Sequence, residues 1–224
     1  MKHLFTAVFI MSMVILHGAD YGKIYQEAQA AVKQKDYAAA ETKFDEAMKA
    51  AADSEQKCNA ILGKFNAMRS QKKYTEAEKF ALAAVEDESL KSPEIRHILN
   101  TIANSLLWSS RPDFAMDLLR QAQNFECPKY SNVYYATFYC TAVLYQRKKQ
   151  PKMVIEVLDN VLKVKSQHPG NHYSANMMIG KAYEQLGQKE EALKHYKAAL
   201  EAARKVKYKF DFSPAEKAVE RLSK

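Results

Sequence analysis

Residues 179–203 read "IGKAYEQLGQKEEALKHYKAALEAA", two helical stretches joined by the turn "LGQKEE". Gly180 sits in the apolar stripe of the first stretch, where alanine would be better by about 1 kcal/mol. A glycine there predicts that something comes very close to the backbone. Tyr183 lies three residues on, and Ala192, Tyr196 and Ala199 follow at twelve, sixteen and nineteen residues from the glycine. Residues three or four apart share a helix face, so each helix presents a small residue beside a large one. Two such faces interlock. The expected neighbour of Gly180 is the second helix of its own hairpin, through Ala192 and Tyr196.

The same arrangement recurs upstream. Ala142, Tyr145, Val154, Leu158 and Val161 repeat it, as do Ala103, Leu106, Ala115, Leu119 and Ala122, and Ala28, Ala31, Ala40, Phe44 and Ala47. In the remaining window, Phe65, Met68, Ala77, Ala81 and Ala84, big and small trade places at two positions. From Ala40 to Ala77, Ala115, Val154 and Ala192 the steps are 37, 38, 39 and 38 residues. Between the paired helices stand "KQKDY", "QKKYTEA", "SSRPDFA", "RKKQPKM" and "LGQKEEA". Asp36, Thr75 and Asp113 are the expected caps of the helices that follow, with Thr75 and Glu78 forming a capping box. Ser92-Pro93-Glu94 opens the third pair, and "HPGN" at 168–171 precedes the fifth. "FSPAEKAVERLSK" supplies Ser213 as a cap, Pro214 in the first turn and Glu216 to complete a box, which predicts one closing helix. A lone amphipathic hairpin leaves a face uncovered, whereas stacked hairpins share a continuous core.

These residues, "IGKAYEQLGQKEEALKHYKAAL" above all, resemble the tetratricopeptide repeat, a helical hairpin repeated about every 34 residues with small and aromatic positions at these offsets. The resemblance covers about residues 21–206, with a period three to five residues longer than the family's. It implies an all-α fold, a right-handed α-α superhelix of about five hairpins plus a C-terminal capping helix. The hairpins are expected at about 21–54, 58–91, 96–129, 135–168 and 173–206, the cap at 213–223, together one domain from 20 to 224.

Composition agrees with helix almost throughout: six Gly and six Pro in 224 residues, and no sheet is expected. Lys2 stands ahead of an apolar run from Leu4 to Leu16, followed by Gly18 and Ala19. Thirteen apolar residues are short for a bilayer span, so residues 1–19 read as a cleavable signal peptide, and the chain as exported, periplasmic or secreted. No cysteine follows the run, which leaves no lipoprotein anchor. The chain carries 34 Lys and Arg against 26 Asp and Glu. Nucleic acid fits this charge but not the export signal. Cys58, Cys127 and Cys140 are too few for a disulfide scaffold; Cys127 and Cys140 either pair across a loop or stay as semi-buried thiols.

Motifs of enzyme chemistry are not found: no HExxH, phosphate loop, GxSxG or CxxC. His168 and His172 have a metal-friendly spacing, but Pro169 and Gly170 argue for a loop there. The sequence names no cofactor and no metal. The resemblance instead implies binding, on a concave surface lined by the first helix of each pair. On that geometry the groove is lined by Tyr25, Gln29, Asn59, Asn66, Arg69, Asn100, Asn104, Trp108, Tyr139, Arg147 and Lys181. Amides pair with peptide groups, and large rings give contact area at low entropy cost, so an extended peptide or partner protein is the expected ligand. Leu62 and Thr101 stand where family members that clamp a C-terminal carboxylate need a lysine and an asparagine, so that array is not present. Lys72, Lys73, Arg147, Lys148 and Lys149, with Lys33, Lys35, Arg111 and Lys189, fall in or beside the hairpin turns and predict a basic rim for an anionic surface. The reading is a non-enzymatic protein-protein interaction scaffold of the cell envelope, with an envelope or secretion assembly factor as the alternative and an enzyme on a solenoid as the more distant one.

Overall fold

The computed structural model describes residues 20–165, 168–206 and 211–224; the signal-peptide reading of residues 1–19 lies outside them. Among the described residues there are helices and turns and no strand. A helix at 20–33 (α1) is followed by α2 (Tyr37–Ala50), α3 (Ser54–Ser70), α4 (Tyr74–Ala84), α5 (Ser92–Leu106) and α6 (Pro112–Gln123). The chain continues through α7 (Asn132–Arg147), α8 (Pro151–Leu162), α9 (Pro169–Gln185), α10 (Lys189–Ala203) and α11 (Ser213–Ser223).

Four of the five hairpin turns close in the same way. Lys35, Lys72, Lys149 and Gly187 adopt left-handed backbone, with φ of 62°, 63°, 54° and 72°. Each stands five residues before the first buried core residue of the second helix, Ala40, Ala77, Val154 or Ala192. The next amide reaches back to the carbonyl of Ala31, Met68, Tyr145 or Tyr183, at 3.0 Å or less. The left-handed residue's own amide donates to Val32, Arg69, Gln146 or Glu184. This pair of bonds satisfies the carbonyls that a helix end leaves open, and it needs one residue with positive φ. The third turn differs: Ser109 donates its amide to Leu106 O and accepts from the Arg111 amide through Oγ.

This closure also explains which caps fail to appear. Asp36 caps α2 as expected, accepting from the Ala39 amide at 3.1 Å. Thr75 does not cap α4, because the Lys72–Lys73 closure lets the helix restart at Tyr74 with Lys73 at the cap. Asp113 is displaced by Pro112, which suits the first helical position, and pairs instead with Lys148 at 2.6 Å. Ser213 is the first helical residue and not the cap; its amide is held by Asp211 Oδ1 at 3.0 Å. Pro169 and Gly170 do not interrupt α9 but begin it, with His168 as its cap.

The repeated positions are the core. The first member of each set is buried: Ala28, Phe65, Ala103, Ala142 and Gly180. So are the third and fourth, from Ala40 with Phe44 through to Ala192 with Tyr196. Two compact units divide the chain, Met1–Ile102 and Ala103–Lys224. In the first, Phe44 of α2 lies against α3 where Gly63 makes room; a Cβ on Gly63 would sit 2.3 Å from the Phe44 ring. Tyr21 of α1 donates to Gln56 O of α3 at 2.9 Å, and Lys64 of α3 pairs with Asp45 of α2 at 2.7 Å. In the second unit, Tyr196 of α10 fills the space over Gly180 of α9, where a Cβ would meet its Cε1 at 2.8 Å. Its hydroxyl donates to Glu184 at 2.5 Å, and Arg221 of α11 grips the same carboxylate at 2.6 and 2.9 Å. With Ala215 and Ala218 buried against Tyr173 and Met177, α11 covers the end of this core as a cap must.

Candidate functional site

In the second unit a cavity of about 230 Å³ opens between α7 and α9. Alpha-9 contributes Tyr173, Ser174, Met177, Met178 and Lys181, spaced so that successive turns add to one stripe. Tyr139 and Gln146 come from α7, and Pro214 of α11 closes one side. The Tyr139 ring stacks on Tyr135 at 5.2 Å between centroids. Ser174 Oγ donates to Gly170 O at 3.0 Å, one turn back in α9. Burial pushes the phenols of Tyr139 and Tyr173 above their ordinary value, so both stay neutral donors. The lining thus combines rings and thioethers with an amide, a hydroxyl and one ammonium, and holds no carboxylate.

Two other cavities of the same unit are larger but less suited to a ligand. One of about 360 Å³, between the end of α8 and the α9–α10 pair, has Asn176 and His172 in its wall. Their polar atoms are committed: Asn176 donates to His172 O at 2.9 Å and faces His195 Nδ1 at 2.9 Å, while His172 Nε2 lies 3.1 Å from Val164 O. His168 Nδ1 accepts from the Gly170 amide, so the two histidines of "HPGNH" serve separate local roles. The third, about 480 Å³, is a shelf along α10 alone, from Glu190 to Glu201.

Residues 173–206, from the first residue of the cavity stripe to the end of the last hairpin, match the family described as tetratricopeptide repeat. This is a tetratricopeptide repeat fold. Solved structures agree over most of the chain. MamA protein aligns with a TM-score of 0.57 at 20% identity, over 87% of this chain and 98% of that one. A thermophilic tetratricopeptide protein of Thermus thermophilus aligns at 0.56 and 16%, over 91% and 98%. YrrB, a tetratricopeptide protein with an unusual peptide-binding site, aligns at 0.52 and 18%, over 81% and 86%. Comparison with curated protein sequences returns no match.

Of the residues expected in a tetratricopeptide groove, the structure brings Tyr139 and Lys181 together in the cavity. Arg147, one residue past Gln146, turns away from it and lies over the Trp108 ring at 5.5 Å, donating to the carbonyls of Leu107 and Ser109. Trp108 is 77% exposed. Asn104 is exposed and accepts from Cys140 Sγ at 3.7 Å. In the first unit Asn66 and Gln29 are exposed and Asn59 half-buried, while Arg69 is held between the rings of Phe65 and Tyr74 at 5.6 and 6.0 Å. One expectation is corrected there. Asn100 is 3% exposed, one turn beyond the equally buried Arg96, so that face of α5 looks inward and no ligand reaches it. Tyr25 is half-buried, stacked on Tyr21 at 5.4 Å and edge-on to Phe44 at 5.6 Å.

Among the rim lysines, Lys72 and Lys149 are the exposed left-handed residues of their turns. Lys73 is paired with Glu41 at 2.9 Å and Lys148 with Asp113 at 2.6 Å, so both carry less unbalanced charge than the sequence suggests. The three cysteines are thiols, with Cys58 and Cys140 buried. Sequence reasoning missed Ser174, Met177 and Met178. Their spacing with Lys181, at 174, 177, 178 and 181, is the i, i+3, i+4, i+7 stripe that would have found them.

Proposed function

We propose that the protein is a non-enzymatic scaffold that holds an extended segment of a partner protein between α7 and α9. The observation that carries this is the cavity bounded by Tyr139, Met177, Met178 and Lys181. Rings and thioethers there offer an adaptable apolar seat, and the Gln146 amide suits the peptide groups of an extended chain. YrrB, of the same fold, is described as having a peptide-binding site. Acid–base chemistry is a poorer reading of the same cavity, since its phenols are shifted away from neutrality. Location in the cell envelope belongs to the same proposal and rests on the apolar run from Leu4 to Leu16.

The test is affinity capture from an envelope extract with the wild-type chain, a Tyr139→Ala/Met177→Ala variant and a Trp108→Ala variant. The cavity variant is expected to lose the partner that wild type and Trp108→Ala retain. Equal capture by all three would reject the cavity as the binding site.

A further inference from the structure

Trp108 is the only tryptophan in the chain, and it stands 77% exposed near the start of the α5–α6 turn. A large indole is ordinarily well buried, so an exposed one beside an excess of cations is informative. Its surroundings are cationic. Arg147 lies over the ring at 5.5 Å and is pinned by the carbonyls of Leu107 and Ser109. Arg111 covers Phe114 at 4.4 Å in the same turn. Residues 107–113 and 146–152 together hold Arg111, Arg147, Lys148, Lys149 and Lys152 against one carboxylate, Asp113. That carboxylate is already engaged by Lys148 at 2.6 Å, which holds it below its ordinary value. Lys149 and Lys152, at the turn that follows Arg147, are exposed.

The geometry points to an anionic lipid surface as the partner of this patch: the Trp108 ring enters the headgroup layer while Arg147, Lys149 and Lys152 lie over the lipid phosphates. One observation selects a lipid surface over an acidic protein segment. The indole projects from a turn, with Arg147 over its ring and the exposed Lys149 and Lys152 at the turn that follows, the arrangement of an interfacial anchor: an amphipathic ring at headgroup level and cations beside it. Arg147 adds rigidity, because its guanidinium is fixed by backbone carbonyls and holds one face of the indole while the other stays open. Among the described residues no helix is long and apolar enough to cross a membrane, so the contact is with the surface. This inference goes beyond the proposed peptide cavity and is independent of it.

A single tryptophan makes the test local. The full chain is titrated with phosphatidylglycerol vesicles, with phosphatidylcholine vesicles and with polyglutamate, following Trp108 emission and co-sedimentation at low and high salt. The expected result is a blue shift and binding with phosphatidylglycerol alone, weakened by salt. Each basic residue near an anionic surface is worth about fivefold in partition, so Lys149→Asn with Lys152→Gln is expected to weaken binding about 25-fold. Asparagine is chosen at 149 because it tolerates positive φ. A melting curve matching wild type shows that the double variant is folded, and Trp108→Phe, read by sedimentation, supplies a second variant that binds more weakly. Residues 1–19 are common to every variant, so binding through that run would leave the variants equal to wild type. That equality would overturn the proposal, as would a blue shift with polyglutamate but not with vesicles, or equal binding to both lipids.

Discussion

Replacing Gly180 by alanine tests the packing on which the last hairpin is built. On an open helix face the change stabilises by about 1 kcal/mol, through helix propensity. Here the new Cβ would lie 2.8 Å from Cε1 of Tyr196 and 3.0 Å from Cδ1 and Cζ. Ordinary contact begins near 3.4 Å, so the ring would have to retreat by about 0.6 Å. It has little room. Tyr196 is 1% exposed, packed among Ala192, Ala199 and Ala202, and its hydroxyl is tied to Glu184, which Arg221 holds in place. Overpacking of this kind costs about 1–3 kcal/mol, and the confined ring puts the cost above the propensity gain. The expected net loss is up to about 2 kcal/mol, or a melting temperature lower by up to about 8 °C for a chain of this size. Thermal unfolding followed by circular dichroism reads it. Gly22→Ala is the control, since nothing lies within 4 Å of its Cβ position, and it should be neutral or stabilising. In a Tyr196→Leu background the cost of Gly180→Ala should shrink, which a double-mutant cycle quantifies. If Gly180→Ala melts at or above wild type, the close approach of Tyr196 is refuted.

Three further outcomes follow from the same geometry. Lys35→Gly, Lys72→Gly and Lys149→Gly should each stabilise by about 0.5–1 kcal/mol and Gly187→Lys should destabilise by about 1 kcal/mol, all in thermal melts, because the four positions share positive φ. Burial raises the Cys58 thiol to about 12 and the Cys140 thiol to about 11, so timed maleimide labelling of the native protein should modify Cys127 first; equal rates would contradict the burial. The Arg221 hydrogen bonds hold the Glu184 carboxyl below its ordinary value, so its contribution is complete above the usual carboxylate range and is lost as pH falls through the depressed value. Arg221→Ala should therefore melt lower than wild type at neutral pH and converge with it in acid; a difference that persists undiminished in acid would show that the ion pair is not its source.

Much of the fold is legible in the sequence, because the spacing of small and large residues is dictated by how close two helices can come. Gly180 with Tyr196 is such a pair, and the 37- to 39-residue steps carry it upstream. Less legible is how each hairpin turns. Three of the left-handed positions are lysine, a residue with no preference for positive φ, so only Gly187 signals the closure, and the caps assigned to Thr75, Asp113 and Ser213 fail for that and neighbouring reasons. Site residues are harder still. Tyr139 and Lys181 line the candidate cavity, but Asn100 is assigned to a surface from helix phase alone, and phase does not reveal which turn of α5 faces inward. The Arg147–Trp108 contact, between residues 39 positions apart, has no local signature at all.

The central claim is that the cavity between α7 and α9 is where a partner is held. A photocrosslinking residue at position 181, inside the cavity, and another at position 197, on the α10 shelf, compare the two faces directly. The account predicts that position 181 yields a discrete partner adduct, abolished by Tyr139→Ala, and that position 197 yields none of that adduct. The same adduct from position 197 but not from 181 would contradict it.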